Sequence, residues 1–391
     1  MEAVMENGTT VLFPEGRVDS SNAQQFEKEI FEEVKRHPDT APIFDFERLL
    51  YISSAGLRVL LKAARQFPEP VRVRNASEEV WQIMEMTGFT SILDVRKKMR
   101  EISVDGCEII GWGANGTVYR IDPDTIVKVY NAPDALAMIE NEQKCAKQAF
   151  LKGIPTAISY DIVKVGDRYG SVFELVKAET LNDRLIREPE KLEETIRSYA
   201  DIVSQVHAIT MEKGVLPDAR ALYLGYLDSV SDLLSGGVYS RLRELLSAMP
   251  EDFHVVHGDL HMKNVMFMDG KLILIDMDTM STGNPVFDFA GLYVAYRAFE
   301  EDAPGNSMEF YGIPEEVCGR IWQRLLELCL CPADENELRK IEDRVRVLGY
   351  LRFIYILTII GNGETELREI RLRKSNERLA ALLERVTELT L

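Results

Sequence analysis

The chain has 391 residues, of which 46% are hydrophobic and 28% charged, so it has enough apolar material for two or three globular domains. Its formal net charge of −18 is uneven: residues 1–100 carry 14 basic and 16 acidic side chains, and the remainder carries 32 and 48. An acidic second part argues against nucleic acid or an anionic membrane as a partner. It is compatible with a cationic small molecule, although solubility alone is the simpler interpretation.

The start of the chain and its cysteines favour a cytoplasmic protein. The first residues, MEAVMENG, are polar and acidic, unlike a secretory signal. Residues 350–361 form an apolar stretch that is too short to cross a bilayer and contains Arg352, so we predict a buried helix there. The 5 cysteines are scattered and form no CxxC pair, which favours reduced thiols.

Strand-like and helix-like segments alternate along the first hundred residues. Residues 9–18 predict a strand, a turn and a second strand, and further strands are predicted at residues 41–49 and 71–75. The predicted helices, with apolar residues three or four positions apart, fall at residues 19–37, 53–67 and 77–88. Such an alternation predicts a sheet with helices packed on it.

A charged segment without periodicity, residues 97–105, marks the predicted boundary between two domains. Two strand-like runs follow it, and helical patterns dominate from about residue 181 onward. The first domain therefore extends over residues 1–100, and the second over residues 106–391.

A glycine-rich segment, GWGANGTVYRI, opens the second domain with Gly111, Gly113, Asn115 and Gly116. In a dinucleotide-binding fold a helix would follow these glycines. Here a strand, an Asp-Pro-Asp turn and another strand follow, which predicts a hairpin whose backbone lies close to phosphates, as in kinases. The absence of a GxxxxGK[ST] motif from the sequence excludes a P-loop.

Lys128 lies between two valines in the second strand of this hairpin. If its side chain faces inward, it can contact the α- and β-phosphates of a nucleotide, and it then needs a carboxylate to orient it. The amphipathic segment 134–155 offers Glu140 and Glu142, and the position of the helix end favours Glu142. The alternative is an exposed lysine on an edge strand, where lysine is common.

The strongest signal is the stretch HVVHGDLHMKNVMFMDGKLILIDMDT, in which two apolar runs each end in ionisable residues. Such groups are costly to bury unless a metal and a phosphate offset their charge. Asp259 is placed to act as the base for a hydroxyl nucleophile, and Asn264 and Asp276 supply oxygen ligands for Mg²⁺. His257 is interpreted as structural, and Asp278 as either a further Mg²⁺ ligand or a polar loop residue. Together, the order and spacing predict a kinase-like phosphotransferase site.

Three motifs, HGDLHMKN, LILIDMD and GNPVFDFAGL, carry a resemblance to the aminoglycoside/choline-kinase branch of the protein-kinase-like superfamily. The resemblance extends over residues 106–391. It implies a bilobal fold, with an antiparallel-sheet N-lobe over about residues 106–178 and a mostly helical C-lobe over about residues 179–391. Met262 and Lys263 depart from the residues that many relatives carry, which changes the loop surface more than the chemistry.

The resemblance also implies ATP and Mg²⁺ as cofactors and gives roles to individual residues. Asp259 would be the catalytic base, and Asn264 and Asp276 would be the Mg²⁺ ligands. Lys128 and Glu142 would form the ion pair that orients the phosphates.

Further roles implied by the resemblance concern the nucleotide and the catalytic loop. The glycine-rich loop would cover the phosphates of ATP. The backbone of the segment SVFELV, around Glu174 and Val176, would meet the adenine. Asp288 would brace the catalytic loop.

Residues 1–100 resemble the STAS domain of anti-anti-sigma factors through the segments GRVDSSNAQQFEKEI and FDFERLLYISSAGLRVLLKAAR. In that family a serine at the start of a helix is phosphorylated by a partner kinase, and Ser54 occupies the matching position. A phosphate there is stabilised by the free N–H groups and the dipole of the helix. Ser53 and Ala55 depart from the usual residues, and the alternative is that Ser53 or Ser54 only caps the helix.

Three functions follow as hypotheses. The favoured one is an ATP- and Mg²⁺-dependent kinase that acts on a hydroxyl of a small molecule, with the STAS domain as a regulatory or docking module. The acidic second part is compatible with a cationic substrate. The second is a signalling kinase that phosphorylates Ser54, in cis or in a partner. The third is a nucleotide-sensing pseudokinase, which is disfavoured because every polar group of the site is present.

Overall fold

A computed structural model describes residues 1–6, 8–38, 40–112, 116–175, 178–268, 270–359 and 365–391. The chain divides into two compact units. The first comprises Met1–Ser103 with Val163–Gly166, and the second comprises Val104–Ile162 with Asp167–Leu391. Each unit has a hydrophobic core of its own.

The first unit combines a mixed sheet with amphipathic helices. Its strands are β1 (Glu2–Glu6), β2 (Thr9–Phe13), β3 (Gly16–Val18), β4 (Ile43–Asp45), β5 (Leu49–Ile52), β6 (Arg72–Ala76), β7 (Asp94–Lys97) and β8 (Arg100–Glu101). Its helices are α1 (Ala23–Arg36), α2 (Ser54–Ala64) and α3 (Glu78–Met86). The sheet order is β1-β2-β4-β6-β7, in which β1 is antiparallel to β2 and the other neighbours are parallel. The separate pair β3 and β5 is also parallel.

The second unit begins with an antiparallel sheet and one long helix. Its first strands are β9 (Glu108–Trp112), β10 (Gly116–Asp122), β11 (Thr125–Tyr130), the start of β12 (Asp161–Val165), whose last three residues belong to the first unit, and β13 (Arg168–Glu174). The helix is α4 (Leu136–Leu151). Strands β13, β11, β10 and β9 lie side by side in this order, and each neighbouring pair is antiparallel. Because β11 has a neighbour on both sides, the alternative of an edge-strand position for Lys128 is wrong.

The rest of the second unit is mostly helical. Its strands are β14 (Glu179–Thr180), β15 (Val255–Val256), β16 (Val265–Met268), β17 (Lys271–Leu274) and β18 (Ser281–Thr282). Its helices are α5 (Leu181–Arg187), α6 (Leu192–His207), α7 (Ala219–Ser229), α8 (Gly236–Ala248), α9 (Val286–Tyr293), α10 (Asn306–Tyr311), α11 (Glu315–Leu330), α12 (Glu335–Ile359) and α13 (Thr365–Leu383). Strands β16 and β17 form an antiparallel hairpin, and β14 pairs with β16.

The predicted fold class is confirmed. A unit with a mixed sheet precedes a unit in which an antiparallel sheet is followed by helices. Residues 350–359 of the predicted buried helix lie in α12, in which Leu351, Phe353 and Ile354 are fully buried, and residues 360 and 361 lie outside the described residues. Among the residues described, none of the helices has both the length and the apolar character needed to cross a membrane.

Candidate active site

Strand β11 brings Lys128 against helix α4. Successive side chains of a strand point to opposite faces, so Lys128 and Tyr130 share the face that the intervening valine does not. Nζ of Lys128 lies 3.4 Å from Oε1 of Glu142 in α4 and 2.5 Å from Oδ1 of Asp276. The side chains of Lys128 and Glu142 are only 16% and 8% exposed. The structure therefore places one largely buried cation between two carboxylates.

The charge of Lys128 is fixed by these carboxylates. Burial acts to lower the pKa of Lys128, but Glu142 and Asp276 outweigh it and raise that pKa above its usual range. Tyr130, which is fully buried, donates its hydroxyl to Oε2 of Glu142 at 2.5 Å and lies 3.3 Å from Oγ of Ser171 in β13. Strand β11 thus carries Lys128 and also Tyr130, which holds the Glu142 carboxylate that orients the lysine.

The loop that contains Asp259 follows β15 and is held by Asp288 of α9. The Asp288 carboxylate is fully buried and accepts the main-chain N–H of His257 at 3.0 Å and that of Gly258 at 2.6 Å. His207, the last residue of α6, lies 2.9 Å from the same carboxylate through Nε2. Burial acts to raise the pKa of Asp288, but its hydrogen bond with His207 and the nearby histidines lower the pKa overall. A buried anion thus orders the main chain one residue before Asp259.

His257 has the structural position that was expected for it. Its Nε2 donates to the carbonyl oxygen of Ile275 at 3.2 Å, and its Nδ1 accepts the main-chain N–H of Asp259 at 3.3 Å. Burial lowers the pKa of His257, so the imidazole is neutral, in agreement with this pair of contacts. The ring links the loop of Asp259 to the end of the β16–β17 hairpin.

Asp259 presents its carboxylate at the surface of the loop, with 38% of the side chain exposed. Nδ2 of Asn264 donates to its main-chain carbonyl at 2.8 Å and to its Oδ2 at 3.1 Å. Nε2 of His261 lies 3.5 Å from Oδ2, and Nη2 of Arg352 lies 3.7 Å from Oδ1. Burial acts to raise the pKa of Asp259, but His261 and Arg352 outweigh it and hold that pKa below its usual range. The carboxylate is therefore ionised and fixed in orientation.

Asp276 and Asp278 follow the second strand of the hairpin. The main-chain N–H of Ile275 donates to the carbonyl of Asn264 at 3.0 Å, which brings Asp276 next to the loop of Asp259. Asp276 adopts a left-handed conformation with φ of 63°, which is uncommon for a residue with a side chain. Burial raises the pKa of Asp278 to about 7, and the carboxylates of Asp276 and Glu142 add to the rise. Negative charge is therefore concentrated here.

Two of the glycines predicted to cover the phosphates lie in the strands at the start of the second unit. Gly111 lies in β9, and Gly116 is the first residue of β10. A Cβ at position 116 would lie 2.3 Å from the main-chain oxygen of Val129, so only glycine allows this close approach of β10 to β11. Gly113 and Asn115 lie outside the described residues.

The segment predicted to meet the adenine leaves the sheet at the end of β13. Glu174 pairs with Thr125 and is exposed. The main-chain N–H of Leu175 donates to the carbonyl of Asp124 at 2.8 Å, so the turn between β10 and β11 holds this segment. Val176 lies outside the described residues.

Three residues around the site were missed by sequence reasoning as parts of it: Tyr130, His207 and Arg352. Tyr130 has the same strand parity as Lys128, which was a usable signal. Arg352 was visible as the single charge of the apolar stretch 350–361, and such a charge normally has a buried partner. The sequence does not identify that partner, which lies 94 residues away at Gly258.

In the first unit, Ser53 and Ser54 have different positions at the start of α2. Ser53 is the N-cap residue, and its hydroxyl oxygen accepts the main-chain N–H of Ala55 at 3.2 Å. Ser54 is the first residue of the helix and is exposed. The capping role therefore belongs to Ser53.

Two family models match the chain. The model of the phosphotransferase enzyme family matches residues 106–327, and the model of the STAS domain matches residues 1–102. A protein of Bordetella bronchiseptica named as an anti-sigma factor antagonist, BtrV, is 35% identical over 92 residues, which make up 23% of this chain and 78% of that protein.

Solved structures of kinases have a similar fold. Amicoumacin kinase hAmiN, in complex with AMP-PNP, Ca²⁺ and Ami, has a TM-score of 0.50 at 15% identity, over 78% of this chain and 94% of its own. Aminoglycoside phosphotransferase APH(2'')-Ib, bound to ADP, has a TM-score of 0.49 at 15% identity, over 77% and 98%. At 15% identity, the similarity to amicoumacin kinase shows the fold alone. The model of the phosphotransferase enzyme family, in contrast, covers more than half of the chain. The chain therefore belongs to the phosphotransferase enzyme family and carries a STAS domain in residues 1–102.

Proposed function

We propose that the protein transfers the γ-phosphoryl group of ATP to a hydroxyl of a small molecule, with Asp259 as the base. One continuous series of contacts supports this proposal. Lys128 contacts Glu142 and Asp276, the residue before Asp276 bonds to Asn264, and Asn264 bonds to Asp259. Groups suited to phosphates and a group suited to a hydroxyl proton are thereby brought together.

The proposed transfer forms one bond and breaks one. The acceptor oxygen bonds to the γ-phosphorus, the bond from that phosphorus to the departing ADP oxygen breaks, and the acceptor proton passes to Asp259. An ionised and partly exposed Asp259 can accept a hydrogen bond from the acceptor hydroxyl before the proton moves. Lys128, oriented by Glu142, would contact the α- and β-phosphates.

The nucleotide would lie between the glycine-rich loop and the end of β13. In this proposal Gly111, Gly113, Asn115 and Gly116 cover the phosphates. The main chain at Glu174 and Val176 meets the adenine. Because adenine is recognised here through backbone groups, the exposed side chain of Glu174 is not needed for the contact.

The donor atoms near Asp276 fit Mg²⁺. The amide nitrogen of Asn264 donates to Asp259, which leaves the amide oxygen of Asn264 available as a metal ligand, and the carboxylate of Asp276 would supply another. The described residues contain no group of three or more His, Cys, Asp or Glu side chains that could hold a metal ion by themselves. Mg²⁺ commonly takes only one or two carboxylates and completes its shell with phosphates and water. When bound, it would neutralise phosphate charge, and it would offset the nearby carboxylates that add to the effect of burial in raising the pKa of Asp278.

The first test is turnover. The full chain is incubated with Mg-ATP and a panel of hydroxylated compounds, cationic ones first because of the acidic second part, and ADP and product mass are measured. We expect Asp259→Asn to lower kcat by about 10²- to 10⁴-fold. Absence of turnover with every compound, together with equal nucleotide binding by both proteins, would favour the pseudokinase.

A second candidate function is phosphorylation of Ser54, in cis or in a partner STAS domain. It is supported by the exposure of Ser54 at the first position of α2, while Ser53 caps the helix. The intact mass of the chain after incubation with Mg-ATP tests it. A gain of one phosphoryl group by the parent, lost in both Ser54→Ala and Asp259→Asn, would support signalling. Equal labelling of Ser54→Ala would exclude Ser54 as the acceptor.

A further inference from the structure

Arg352 is a charged residue in the middle of the apolar part of α12. Its neighbours in sequence, Leu351 and Phe353, are fully buried, and its own side chain is 14% exposed. A guanidinium that is mostly removed from water needs hydrogen-bond partners to offset the loss of solvation. Its partners therefore indicate why α12 carries a charge at this position.

These partners belong to the catalytic loop. Nη1 of Arg352 donates to the main-chain carbonyl of Gly258, and Nη2 lies 3.7 Å from Oδ1 of Asp259. The hydroxyl-bearing rings of Tyr223 and Tyr226 lie nearby and, with Asp259, raise the pKa of Arg352 although its burial acts to lower it. Arg352 is thus ionised, and its guanidinium is directed at Gly258 and at Asp259, the proposed base.

The path of the guanidinium past α9 depends on Gly291. A Cβ at position 291 would lie 3.1 Å from Nη1 of Arg352 and 3.2 Å from the carbonyl oxygen of Gly258. Both distances are tighter than ordinary contact, so a side chain here would press on the two atoms that form the hydrogen bond. Gly291 of α9 thereby leaves the space through which the side chain of Arg352 contacts the loop.

Gly258 is consequently held through both its main-chain N–H group and its carbonyl group. Its N–H donates to Oδ1 of Asp288 at 2.6 Å, and its carbonyl accepts from Arg352. An anion of α9 and a cation of α12 thus fix the two peptide groups that flank Gly258, and Asp259 is the next residue. Small displacements of a catalytic group have large effects on rate, so this double attachment has a direct consequence for Asp259.

We propose that Arg352 is a positioning residue that holds the Gly258 carbonyl and the Asp259 carboxylate in the orientation in which Asp259 receives the acceptor proton. This inference rests on the proposed function of Asp259. Arg352 itself does not touch ATP or move a proton. Its guanidinium matches the task because it can donate to the carbonyl and face the carboxylate at the same time, whereas a lysine offers one compact ammonium group.

The test compares Arg352→Met, Arg352→Lys and Gly291→Ala with the parent chain. Arg346→Met is the matched control, because Arg346 lies in the same helix and donates to Tyr350 at 3.1 Å, not to the catalytic loop. The first readout is ADP production from Mg-ATP with water as the acceptor, which gives kcat and KM for ATP. The second is amide hydrogen exchange of residues 255–262, which needs no turnover.

We expect Arg352→Met to lower kcat about 100-fold, with KM for ATP within about twofold of the parent value. Exchange should become about tenfold faster at residues 257–260 and stay unchanged in α4. Arg352→Lys and Gly291→Ala should have intermediate values, and Arg346→Met should keep the parental kcat and the parental exchange of the loop.

Parental kcat and parental loop exchange in Arg352→Met would overturn the inference. A uniform rise of exchange over the whole second unit would also overturn it, because it would show a general loss of stability. A parent chain without ADP production would instead count against the proposed function, and the exchange of residues 257–260 would then decide separately whether Arg352 holds the loop.

Discussion

The loop of Asp259 and the start of α2 both present polar residues at the end of a secondary-structure element, but they are ordered in different ways. The loop depends on partners far away in the sequence: Asp288 is 30 residues from Gly258, and Arg352 is 94 residues from it. At the start of α2, the capping bond of Ser53 spans 2 residues. One arrangement depends on tertiary packing, and the other on local helix geometry.

This difference predicts which substitutions should lower function or stability in each region. A loop that is held by distant buried groups should lose function when a residue that never touches the substrate is changed. A helix start that is held by its own cap should tolerate every change except that of the cap itself. Substitutions in the two regions can therefore test whether they are ordered in these different ways.

The largest effect is expected for Asp288→Asn. The amide removes the negative charge and turns one acceptor into a donor, although two main-chain N–H groups and His207 face this carboxylate. We expect the free energy of unfolding of the second unit to fall by about 3 kcal/mol and kcat to fall about 100-fold. Urea unfolding and ADP production measure the two effects.

Asp228→Asn is the matched control for Asp288→Asn. Asp228 lies at the surface and pairs with Arg243, with 52% of its side chain exposed, so the change should stay within about 0.5 kcal/mol of the parent. If Asp288→Asn proved as stable as Asp228→Asn, distant burial would not be what orders the loop.

The next effect is expected for Tyr130→Phe. The substitution keeps the ring and removes the hydroxyl that donates to Glu142, so a buried carboxylate loses one partner. We expect the free energy of unfolding to fall by about 2 kcal/mol, with a higher KM for ATP because Lys128 is less well oriented. Ser171→Ala removes only the longer contact of 3.3 Å to the same hydroxyl and should have a smaller effect on both quantities. Equal effects of the two variants would contradict the assigned role of Tyr130.

Much of the fold followed from local patterns in the sequence. Alternation of apolar residues located β11, and helical spacing located α4, so two local patterns were enough to propose Lys128 and a glutamate as partners. A buried helix was also expected around Arg352, since the stretch of residues 350–361 is almost entirely apolar. Local patterns succeed here because strand and helix periodicities are properties of neighbouring residues.

The contacts that hold the site could not be predicted in the same way. The contact of Lys128 with Asp276 spans 148 residues, and that of His207 with Asp288 spans 81. Nothing in the local sequence of His207 distinguishes it from any polar residue at a helix end. A single charge in an apolar stretch, such as Arg352, indicates that a partner exists, but only the packing of α12 on the loop of Asp259 identifies that partner.

A smaller effect is expected in the pH dependence of stability, through Asp278. Its pKa is raised to about 7, because burial and then the nearby carboxylates disfavour its ionised form. An unfolded aspartate ionises near pH ~4, so the folded chain at neutral pH holds a proton that the unfolded chain has lost. The associated stability is complete below the unfolded pKa and is lost as the pH rises through about 7. In metal-free buffer, the free energy of unfolding should therefore fall by about 1.4 kcal/mol from about pH 6 to pH 8.

Asp278→Asn should remove this part of the slope, and urea unfolding at several pH values measures it. Addition of Mg²⁺ to the parent separates the two interpretations of Asp278. If Asp278 is a metal ligand, Mg²⁺ should favour its ionised form and move the slope to lower pH. If Asp278 is only a polar loop residue, Mg²⁺ should move the pH midpoint of this change in stability less. An unchanged slope in Asp278→Asn would show that another group titrates.

The smallest effect is expected at the start of α2, where the two adjacent serines should behave differently. Ser53→Ala removes the hydroxyl oxygen that accepts the Ala55 N–H, so the free energy of unfolding of the first unit should fall by about 1 kcal/mol. Ser54→Ala changes an exposed first-turn residue and should stay within about 0.5 kcal/mol of the parent. Ser77→Ala is the matched control, since Ser77 caps α3 through the Val80 N–H and should resemble Ser53→Ala. A larger loss for Ser54→Ala than for Ser53→Ala would mean that tertiary contacts hold Ser54, and the contrast with the loop of Asp259 would then fail.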